Sequence, residues 1–293
     1  MLLGEFLEKV HVSPLDKQKP SSGLAETIYS RVGPVTPGHS LAYAVSKVGA
    51  LVANYFYPLH SDRAKFLIGL YTALYLVLDD VGPAMVPDIA RFRQRLLQPN
   101  RDQPEIFDLL ATVMEGFDRE FSTPCANKLF VSVINSLSSL EIEYDRSASF
   151  TAKASPSFPK YFRNMNGSSE AYVFFLLPGE LYSMQRMKLL LQGVPELLDI
   201  TDEINDLFSF YKESIVGTES DTFVYQKSRV DGISVRQTLQ TLCNSILRRR
   251  SLIWRIFEDD PLLQSLASEY VLGQVQFYLS CERYRLSDLD WGN

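Results

Sequence analysis

The sequence predicts an all-α fold, and three observations support that prediction. Hydrophobic residues recur at helical spacing along most of the chain, as at Leu67, Leu70 and Leu74. No stretch of the 293 residues alternates hydrophobic and polar side chains with the β-branched enrichment that is typical of a strand. Proline, glycine and small polar residues separate the hydrophobic stretches, at the places where helices would begin or end.

These separating residues set the helix boundaries in the first half of the chain. A helix over 41–57 ends before Pro58, because proline restricts the residue that precedes it. The next helix begins at Ser61, a residue type that caps helix N-termini, and continues to Asp79 before Gly82-Pro83 ends it. Prolines near the first turn mark two more helices, over 104–121 and 124–144.

The second half contains six more helical stretches with similar signals at their ends. We expect Gly193 to separate two of them and Asp231-Gly232 to turn the chain between two others. The first stretch is interrupted at Asn166-Gly167. The predicted helices cover 157–177, 180–192, 195–214, 221–230, 234–257 and 261–281.

About ten helices with no Gly/Ser linker between them indicate a single α-helical domain over residues 37–293, packed as a bundle. Residues 1–36 contain three prolines and the stretch Ser21-Ser22-Gly23. We therefore expect this segment to be a loosely structured N-terminal arm.

The charge balance restricts the partners. The chain has 29 Lys and Arg against 35 Asp and Glu, so it lacks the basic surface that nucleic acid or an anionic membrane requires. The basic run Arg248-Arg249-Arg250 is interpreted as the solvated face of a helix. Three widely spaced cysteines without a CxxC pair indicate reduced thiols, and the apolar stretch 66–78 is too short to span a bilayer. A cytoplasmic protein is expected, with a homodimer left open.

The stretch Asn205 to Glu213 carries the strongest chemical signal. Asn205, Ser209 and Glu213 are each four residues apart, so on a helix they project from one face. An amide oxygen, a hydroxyl and a carboxylate are the hard oxygen ligands that Mg²⁺ prefers. Hydrophobic residues surround this polar stripe, which indicates that it is buried and needs a ligand or polar partners. The alternative is a solvated face with ordinary acidic residues. Lys212 lies beside Glu213 and could contact an anionic group near the metal.

A second acidic position follows the apolar helix that ends near Asp79. Asp79 and Asp80 lie where a helix C-terminus repels anions, so a bound cation would offset the dipole. Tyr71, Tyr75 and Asp79 share one stripe of that helix, which would place aromatic rings beneath a metal-binding rim. The alternative is that the two aspartates mark the point where the helix leaves the core.

The stretch 205–213 resembles the second metal motif of class I terpene synthases, in the form typical of the trichodiene synthase family. Asp79-Asp80 falls at the position of that family's aspartate-rich motif, although Pro83 replaces its last carboxylate. The stretch 158–167 resembles the family's diphosphate-sensing arginine and the helix break that follows it. Glu282-Arg283-Tyr284-Arg285 resembles its terminal Arg-Tyr pair.

This resemblance implies a helical bundle of the class I terpenoid synthase type around a central active-site cavity. It implies an enzyme that ionises farnesyl diphosphate with Mg²⁺, three ions per site, and cyclises the carbocation to a sesquiterpene of a humulene or trichodiene type. The implied metal ligands are Asp79, Asp80, Asn205, Ser209 and Glu213. The implied diphosphate ligands are Arg163, Lys212, Arg283 and Tyr284, of which Arg163 and Tyr284 count with the metal ligands as catalytic.

The carbocation must be held by groups that are not nucleophiles, and aromatic faces meet that need. The candidates for the pocket lining are five aromatic residues and the two residues of the implied helix break: Phe56, Tyr71, Tyr75, Phe174 and Phe175, with Asn166 and Gly167. Two alternatives remain. A chain-elongating prenyltransferase would carry a full DDxxD in both motifs, and a catalytically degenerate helical binding protein would tolerate Pro83.

Overall fold

The computed structural model describes residues 2–12, 23–98, 103–145, 155–166 and 169–291, and the regular elements within these ranges are all helices. The one β-type contact among them is an isolated bridge between Phe121 and Pro178. The predicted all-α class is therefore confirmed. The helices are α1 (Leu2–Val10), α2 (Gly23–Val32), α3 (His39–Phe56), α4 (Asp62–Val81), α5 (Val86–Leu96), α6 (Glu105–Glu120), α7 (Thr123–Tyr144), α8 (Phe158–Asn166), α9 (Ser169–Phe174), α10 (Met184–Phe210), α11 (Phe223–Asp231), α12 (Val235–Ile256) and α13 (Pro261–Ser280).

The described chain divides into two compact units. The first, called the α4 unit, contains residues 23–98, 103–145, 165–166 and 169–183. The second, called the α10 unit, contains residues 2–12, 155–164 and 184–291.

Helix α4 is the centre of the first unit, and α2, α3 and α6 pack on it. Its start follows the sequence prediction, because the Ser61 hydroxyl accepts a hydrogen bond from the Ala64 amide at 3.3 Å. In the part of the chain that the structure describes, Asp62–Ala84 is long and apolar enough to cross a membrane. However, 61% of its apolar window is buried inside the protein, as in the core helix of a soluble protein.

Helices α3 and α4 approach each other closely at a pair of glycines. A Cβ atom built on Gly49 would lie 2.2 Å from the backbone oxygen of Gly69, and one on Gly69 would lie 3.1 Å from the backbone oxygen of Gly49. The collision at Gly49 is with backbone, so no side-chain rotation can relieve it. Gly49 is therefore required for this helix pair to pack, and Gly69 makes the approach possible from the other side.

Helix α10 organises the second unit, where α12 and α13 pack on it and α1 packs on α12. The predicted break at Gly193 is wrong, because α10 runs without interruption from Met184 to Phe210 and includes Pro195. Gly193 has a packing role instead. A Cβ atom there would lie 2.3 Å from Cζ of Phe257, so the missing side chain makes room for that ring.

The expected loose structure of residues 1–36 is wrong for the two segments described there. Residues 2–10 and 23–32 form α1 and α2. Phe6 and Leu7 in α1 and Ile28 in α2 are buried, because both helices are amphipathic and present an apolar face to a unit core. The structure also contains α5, which the sequence analysis missed. The helices predicted around α11, α12 and α13 are found, and Gly232 adopts the left-handed conformation expected of a turn, with φ +67°.

Replacing Gly49 with alanine tests the close approach of α3 and α4. We expect Gly49→Ala to lower the free energy of unfolding by roughly 3 kcal/mol, since overpacking against backbone exceeds the gain in helix propensity. Gly4→Ala in α1 is the control, because a Cβ there meets nothing within 4 Å. Urea denaturation should find the control at least as stable as wild type. Equal midpoints for the two variants would contradict the close packing.

Candidate active site

The polar stripe predicted on α10 lies where the helix changes its geometry. The α-helical hydrogen bonding ends at Phe210, and Tyr211–Val216 continues as a π-helical segment. Ser209 is buried on the last α-helical turn, and Glu213 lies in the π-helical segment. The Ser209 hydroxyl donates to Oε2 of Glu213 at 3.0 Å. These two predicted ligands therefore do come together.

Asn205 is held at both ends of its amide. Nη2 of Arg163 donates to Oδ1 at 2.7 Å. Nδ2 of Asn205 in turn donates to the hydroxyl of Tyr278 on α13 at 2.8 Å. A carbonyl oxygen has two lone pairs, so Arg163 leaves one of them available.

Arg163 is a buried cation among carboxylates of α10. Its Nε donates to Oδ1 of Asp206 at 2.8 Å, and its Nη1 lies 3.5 Å from Oδ1 of Asp202. Burial on its own lowers the pKa of a guanidinium, but the charges of Asp206 and Asp202 outweigh it and raise the pKa of Arg163. The guanidinium therefore presents a permanent positive charge beside Asn205.

Asp206 lies beside the motif and is not fully neutralised. Burial raises the pKa of its carboxyl to about 6, although the charge of Arg163 opposes that rise. Among the described residues, no group hydrogen-bonds its second oxygen, Oδ2, which is buried. A buried carboxylate oxygen without a partner indicates that this region has room for more positive charge than it contains.

Further cations continue this network along α10. Nζ of Lys160 lies 2.8 Å from Oδ1 of Asp199 and 3.4 Å from Oδ2 of Asp202. Arg249 of α12 forms ion pairs with Asp199, Glu203 and Glu196. The interpretation of 248–250 as a solvated basic face is therefore wrong for Arg249, whose side chain is only 14% exposed. The acidic residues of α10 attract it inward.

The C-terminal Arg-Tyr pair lies in the same unit. The turn Glu282–Tyr284 packs against the π-helical segment. Tyr284 is buried, and the centroid of its ring lies 4.6 Å from that of Tyr278. Arg283 is partly exposed on this turn. Nζ of Lys212 lies 3.5 Å from Oε1 of Glu213, as its position beside that residue suggested.

The donor set in the α10 unit fits a hard divalent cation. Ligands at neighbouring corners of an octahedral Mg²⁺ site lie about 3 Å apart, which is the separation of Ser209 Oγ and Glu213 Oε2. Within the described ranges, no group of three or more side chains drawn from His, Cys, Asp and Glu is placed to hold a metal ion. A cation here would therefore use the amide and hydroxyl oxygens, together with oxygens that a substrate brings.

Asp79 and Asp80 lie in the α4 unit, exposed on the last turn of α4. The Tyr144 hydroxyl donates to the backbone oxygen of Asp79 at 2.8 Å and so satisfies a carbonyl at the helix end. Burial, followed by the charge of Asp79, raises the pKa of Tyr144, which therefore remains a donor. Pro83 follows the end of α4 and lies in the 3₁₀ turn Gly82–Ala84, so the α-helix does not continue through it.

Four of the predicted pocket aromatics belong to one cluster in the α4 unit. The Tyr71 ring lies 5.5 Å from Phe175 and 6.5 Å from Tyr75, measured between centroids. Phe56 joins through Tyr172, which contacts Phe56, Tyr71 and Phe175. Phe174 is buried elsewhere, with Nζ of Lys128 5.4 Å from its ring, because consecutive residues point in different directions. That these rings line a pocket stays a prediction.

The predicted helix break is tied to α4 and α7. The backbone oxygen of Asn166 accepts a hydrogen bond from the Tyr75 hydroxyl at 2.6 Å. Its side-chain Nδ2 donates to Oε2 of Glu143 at 2.9 Å. Gly167, predicted alongside it, lies outside the described residues.

Sequence reasoning missed several residues that the structure joins to this site. Asp202 and Asp206 had a signal, because they are four residues apart on the same helix as the motif. Lys160 and Arg249 had none that distinguishes them from surface cations. The same holds for Tyr278, which is one of 15 tyrosines in the chain.

Comparison with known proteins identifies the family of this chain. The sequence model of the trichodiene synthase (TRI5) family matches residues 20–290. The chain belongs to the trichodiene synthase family. It is therefore a terpene synthase, a lyase that acts on a prenyl diphosphate.

Individual relatives agree with the family match. An (E)-beta farnesene synthase from Metarhizium brunneum is 29% identical over 82% of this chain and 73% of its own length. Terpene synthase 29 from Postia placenta is 25% identical over 83% of this chain and 71% of its own length. An alpha-cuprenene synthase from Coprinopsis cinerea is 23% identical over 87% of this chain and 78% of its own length.

Solved structures agree on the fold. The linalool/nerolidol synthase from Streptomyces clavuligerus, in complex with 2-fluorogeranyl diphosphate, has a TM-score of 0.64 at 14% identity, over 90% of this chain and 96% of its own. A cucumene synthase variant has a TM-score of 0.64 at 14% identity, over 93% of this chain and 98% of its own. The predicted helical fold of the class I terpenoid synthase type is thus confirmed.

Arg249→Met tests the charge network of α10. Methionine keeps the length of the side chain but leaves Glu196, Asp199 and Glu203 without their shared cation. We expect the free energy of unfolding to fall by about 3 kcal/mol. The neighbouring Arg248→Met is a matched control at an exposed position, and it should change stability by no more than about 0.5 kcal/mol. An equal decrease in the free energy of unfolding for both variants, measured by chemical denaturation, would show that the ion pairs of Arg249 do not stabilise the fold.

Proposed function

We propose that this terpene synthase is a Mg²⁺-dependent sesquiterpene cyclase that ionises farnesyl diphosphate and cyclises the allylic cation. The observation that carries the proposal is the 3.0 Å contact between Ser209 Oγ and Glu213 Oε2 at the end of α10. These oxygens have the spacing and the chemistry of Mg²⁺ ligands. They lie in the same unit as Asn205, whose oxygen is already held in a fixed orientation.

Asn205, Ser209 and Glu213 are assigned as metal ligands in the α10 unit, and Asp79, with Asp80, in the α4 unit. Bound Mg²⁺ supplies Lewis-acid neutralisation of the diphosphate charge, which makes diphosphate a better leaving group. The ligands themselves require no proton transfer. Their carboxylate, amide and hydroxyl oxygens only need to be correctly placed.

Arg163, Lys212, Arg283 and Tyr284 are assigned to the diphosphate. Arginine offers two parallel N–H donors to phosphate oxygens, and a protonated tyrosine offers one more donor. Burial raises the pKa of Tyr284 well above its ordinary value, so its hydroxyl keeps the proton that it would donate. These donors stabilise the negative charge that accumulates when the allylic C–O bond breaks and its electron pair moves to the diphosphate.

The carbocation that remains must be protected from water. An aromatic face stabilises a cation by about 0.5 to 2 kcal/mol and offers no lone pair for capture. The cluster of Tyr71, Tyr75, Phe56 and Phe175 in the α4 unit is our candidate for this role. Ring closure forms a C–C bond, and loss of one proton to a base gives the neutral hydrocarbon.

The choice of a C15 substrate is supported by the names of two relatives, since farnesene and cuprenene are both C15 hydrocarbons. Farnesene is acyclic, which favours a second candidate function. In that case the same ionisation would be followed by proton loss without ring closure.

Turnover of prenyl diphosphates tests the proposed function directly. Purified protein is incubated with geranyl, farnesyl or geranylgeranyl diphosphate, with Mg²⁺ or with EDTA, and the volatile products are analysed. We expect release of diphosphate and a cyclic C15 hydrocarbon from farnesyl diphosphate only when Mg²⁺ is present.

Other products would identify the alternatives. Linear farnesene would support the second candidate. Adding isopentenyl diphosphate and recovering a longer prenyl diphosphate would indicate a prenyltransferase. Absence of metal-dependent turnover with all three substrates would favour a degenerate binding protein.

Removing single ligands tests the metal assignment. We expect Asn205→Ala and Glu213→Ala each to reduce turnover by roughly 100-fold or more while the far-UV circular dichroism is unchanged. Glu258→Ala, at an exposed glutamate of the same unit, should keep the wild-type rate. A wild-type rate in either ligand variant would remove that residue from the site.

A further inference from the structure

The amide of Asn205 has two ends that differ chemically, and only one can bind a cation. Oδ1 is a lone-pair donor to metals, whereas Nδ2 carries two hydrogens and repels them. A half-turn of the amide exchanges the two positions with little change in shape. The metal assignment therefore requires some feature of the protein to fix which end faces the site.

Arg163 selects one orientation of this amide, and Tyr278 holds the amide in that orientation. Arg163 can only donate hydrogen bonds, so the amide end that faces it must be the oxygen, and the observed distance is 2.7 Å. The opposite end, Nδ2, faces the Tyr278 hydroxyl at 2.8 Å, and that hydroxyl can accept. A flipped amide would place its NH₂ group against the Arg163 guanidinium.

Arg163 and Tyr278 differ in what they do when a cation binds. The Arg163 guanidinium contacts the same oxygen that would hold the metal, and its positive charge opposes a cation there. The Tyr278 hydroxyl is neutral and contacts the other end of the amide. It is therefore the contact that can persist when the oxygen is used for metal binding.

Tyr278 is held in a fixed position by the rings around it. It is buried, and it stacks on Phe208 with centroids 5.6 Å apart and planes at 11°. The ring of Tyr284 packs edge-on against it at 4.6 Å and 72°. Because these contacts restrict rotation of the ring, the hydroxyl stays at one place relative to α10.

We propose that Tyr278 is a positioning residue. It anchors Nδ2 of Asn205 in the orientation that Arg163 selects, so that Oδ1 is held in place for metal binding. This inference rests on the proposed function, which assigns Asn205 as a ligand. Groups that orient metal ligands typically change metal affinity 10- to 100-fold when they are removed.

Direct measurement of metal binding tests the proposal without relying on turnover. Mn²⁺, a hard divalent ion that accepts oxygen ligands, is titrated into the protein in the presence of inorganic diphosphate. The free Mn²⁺ is quantified by electron paramagnetic resonance. We expect Tyr278→Phe to weaken Mn²⁺ binding by roughly tenfold or more, because the ring is kept and only the acceptor is lost.

The chain offers a matched control between the same two helices. The hydroxyl of Tyr270 on α13 lies 2.8 Å from Oγ1 of Thr201 on α10, and both residues are buried. Tyr270→Phe removes a comparable buried hydroxyl that does not touch Asn205. We expect it to bind Mn²⁺ within about twofold of wild type, even if both tyrosine variants melt at lower temperature. Equal weakening in the two variants would overturn the proposal.

An alanine at position 205 provides the sharpest test. Asn205→Ala has no amide for Tyr278 to hold, so loss of the Tyr278 hydroxyl has no further effect through that contact. In that background, Tyr278→Phe should weaken Mn²⁺ binding by no more than about twofold. The same tenfold loss in both backgrounds would mean that Tyr278 acts in another way and would overturn the proposal. Wild-type protein that binds no Mn²⁺ would overturn this inference together with the metal assignment, whereas an unchanged Tyr278→Phe would overturn the inference alone.

Discussion

The structure of the α10 unit depends on neutralising the carboxylates that α10 buries or half-buries. Glu196, Asp199, Asp202, Glu203 and Asp206 lie along this one helix, and an unpaired buried charge costs several kcal/mol. Lys160 and Arg163 from α8 and Arg249 from α12 supply the opposing charges. The helices that contribute those cations are therefore fixed relative to α10 by charge as well as by apolar contact. Because Asp206 keeps one unpaired oxygen, neutralisation is incomplete at the end of the helix where the motif lies.

The α4 unit is stabilised in a different way. Its core is rich in aromatic rings, and Phe175 contacts the rings of Tyr57, Tyr71, Phe117, Phe121 and Tyr172. Several hydroxyls in this core are paired with backbone oxygens, as where Tyr57 donates to Tyr172 at 2.6 Å. Such pairing leaves the ring faces apolar while the polar ends are satisfied. A surface of this kind suits a reactive hydrocarbon cation better than one that exposes free hydroxyl groups.

Features that depend on neighbours in the sequence could be predicted from the sequence. The Ser61 cap, the left-handed Gly232 and the four-residue spacing of Ser209 and Glu213 are local, and each was found as expected. Features that depend on distant partners could not. The sequence alone suggests that Gly193 breaks a helix, whereas in the structure Phe257 occupies the space of its missing side chain. It also suggests that Arg249 is solvated, whereas in the structure the carboxylates of α10 lie beside it. Only the packing of α13 distinguishes Tyr278 from the other tyrosines.

The change from α-helical to π-helical hydrogen bonding after Phe210 has a consequence for how this protein can evolve. A π-helical segment accommodates an additional residue within a helix, is intrinsically less favourable than regular α-helix, and occurs often at functional sites. Deleting one residue from 211–216 would let α10 continue regularly and would turn every later side chain of the segment by about 100°. The side chains after the deletion would then face different neighbours, whereas Ser209 would keep its place on the last α-helical turn. Natural variation that makes this helix more regular, and hence more stable, would therefore be selected against, and the segment should retain its irregular length while its exposed residues change.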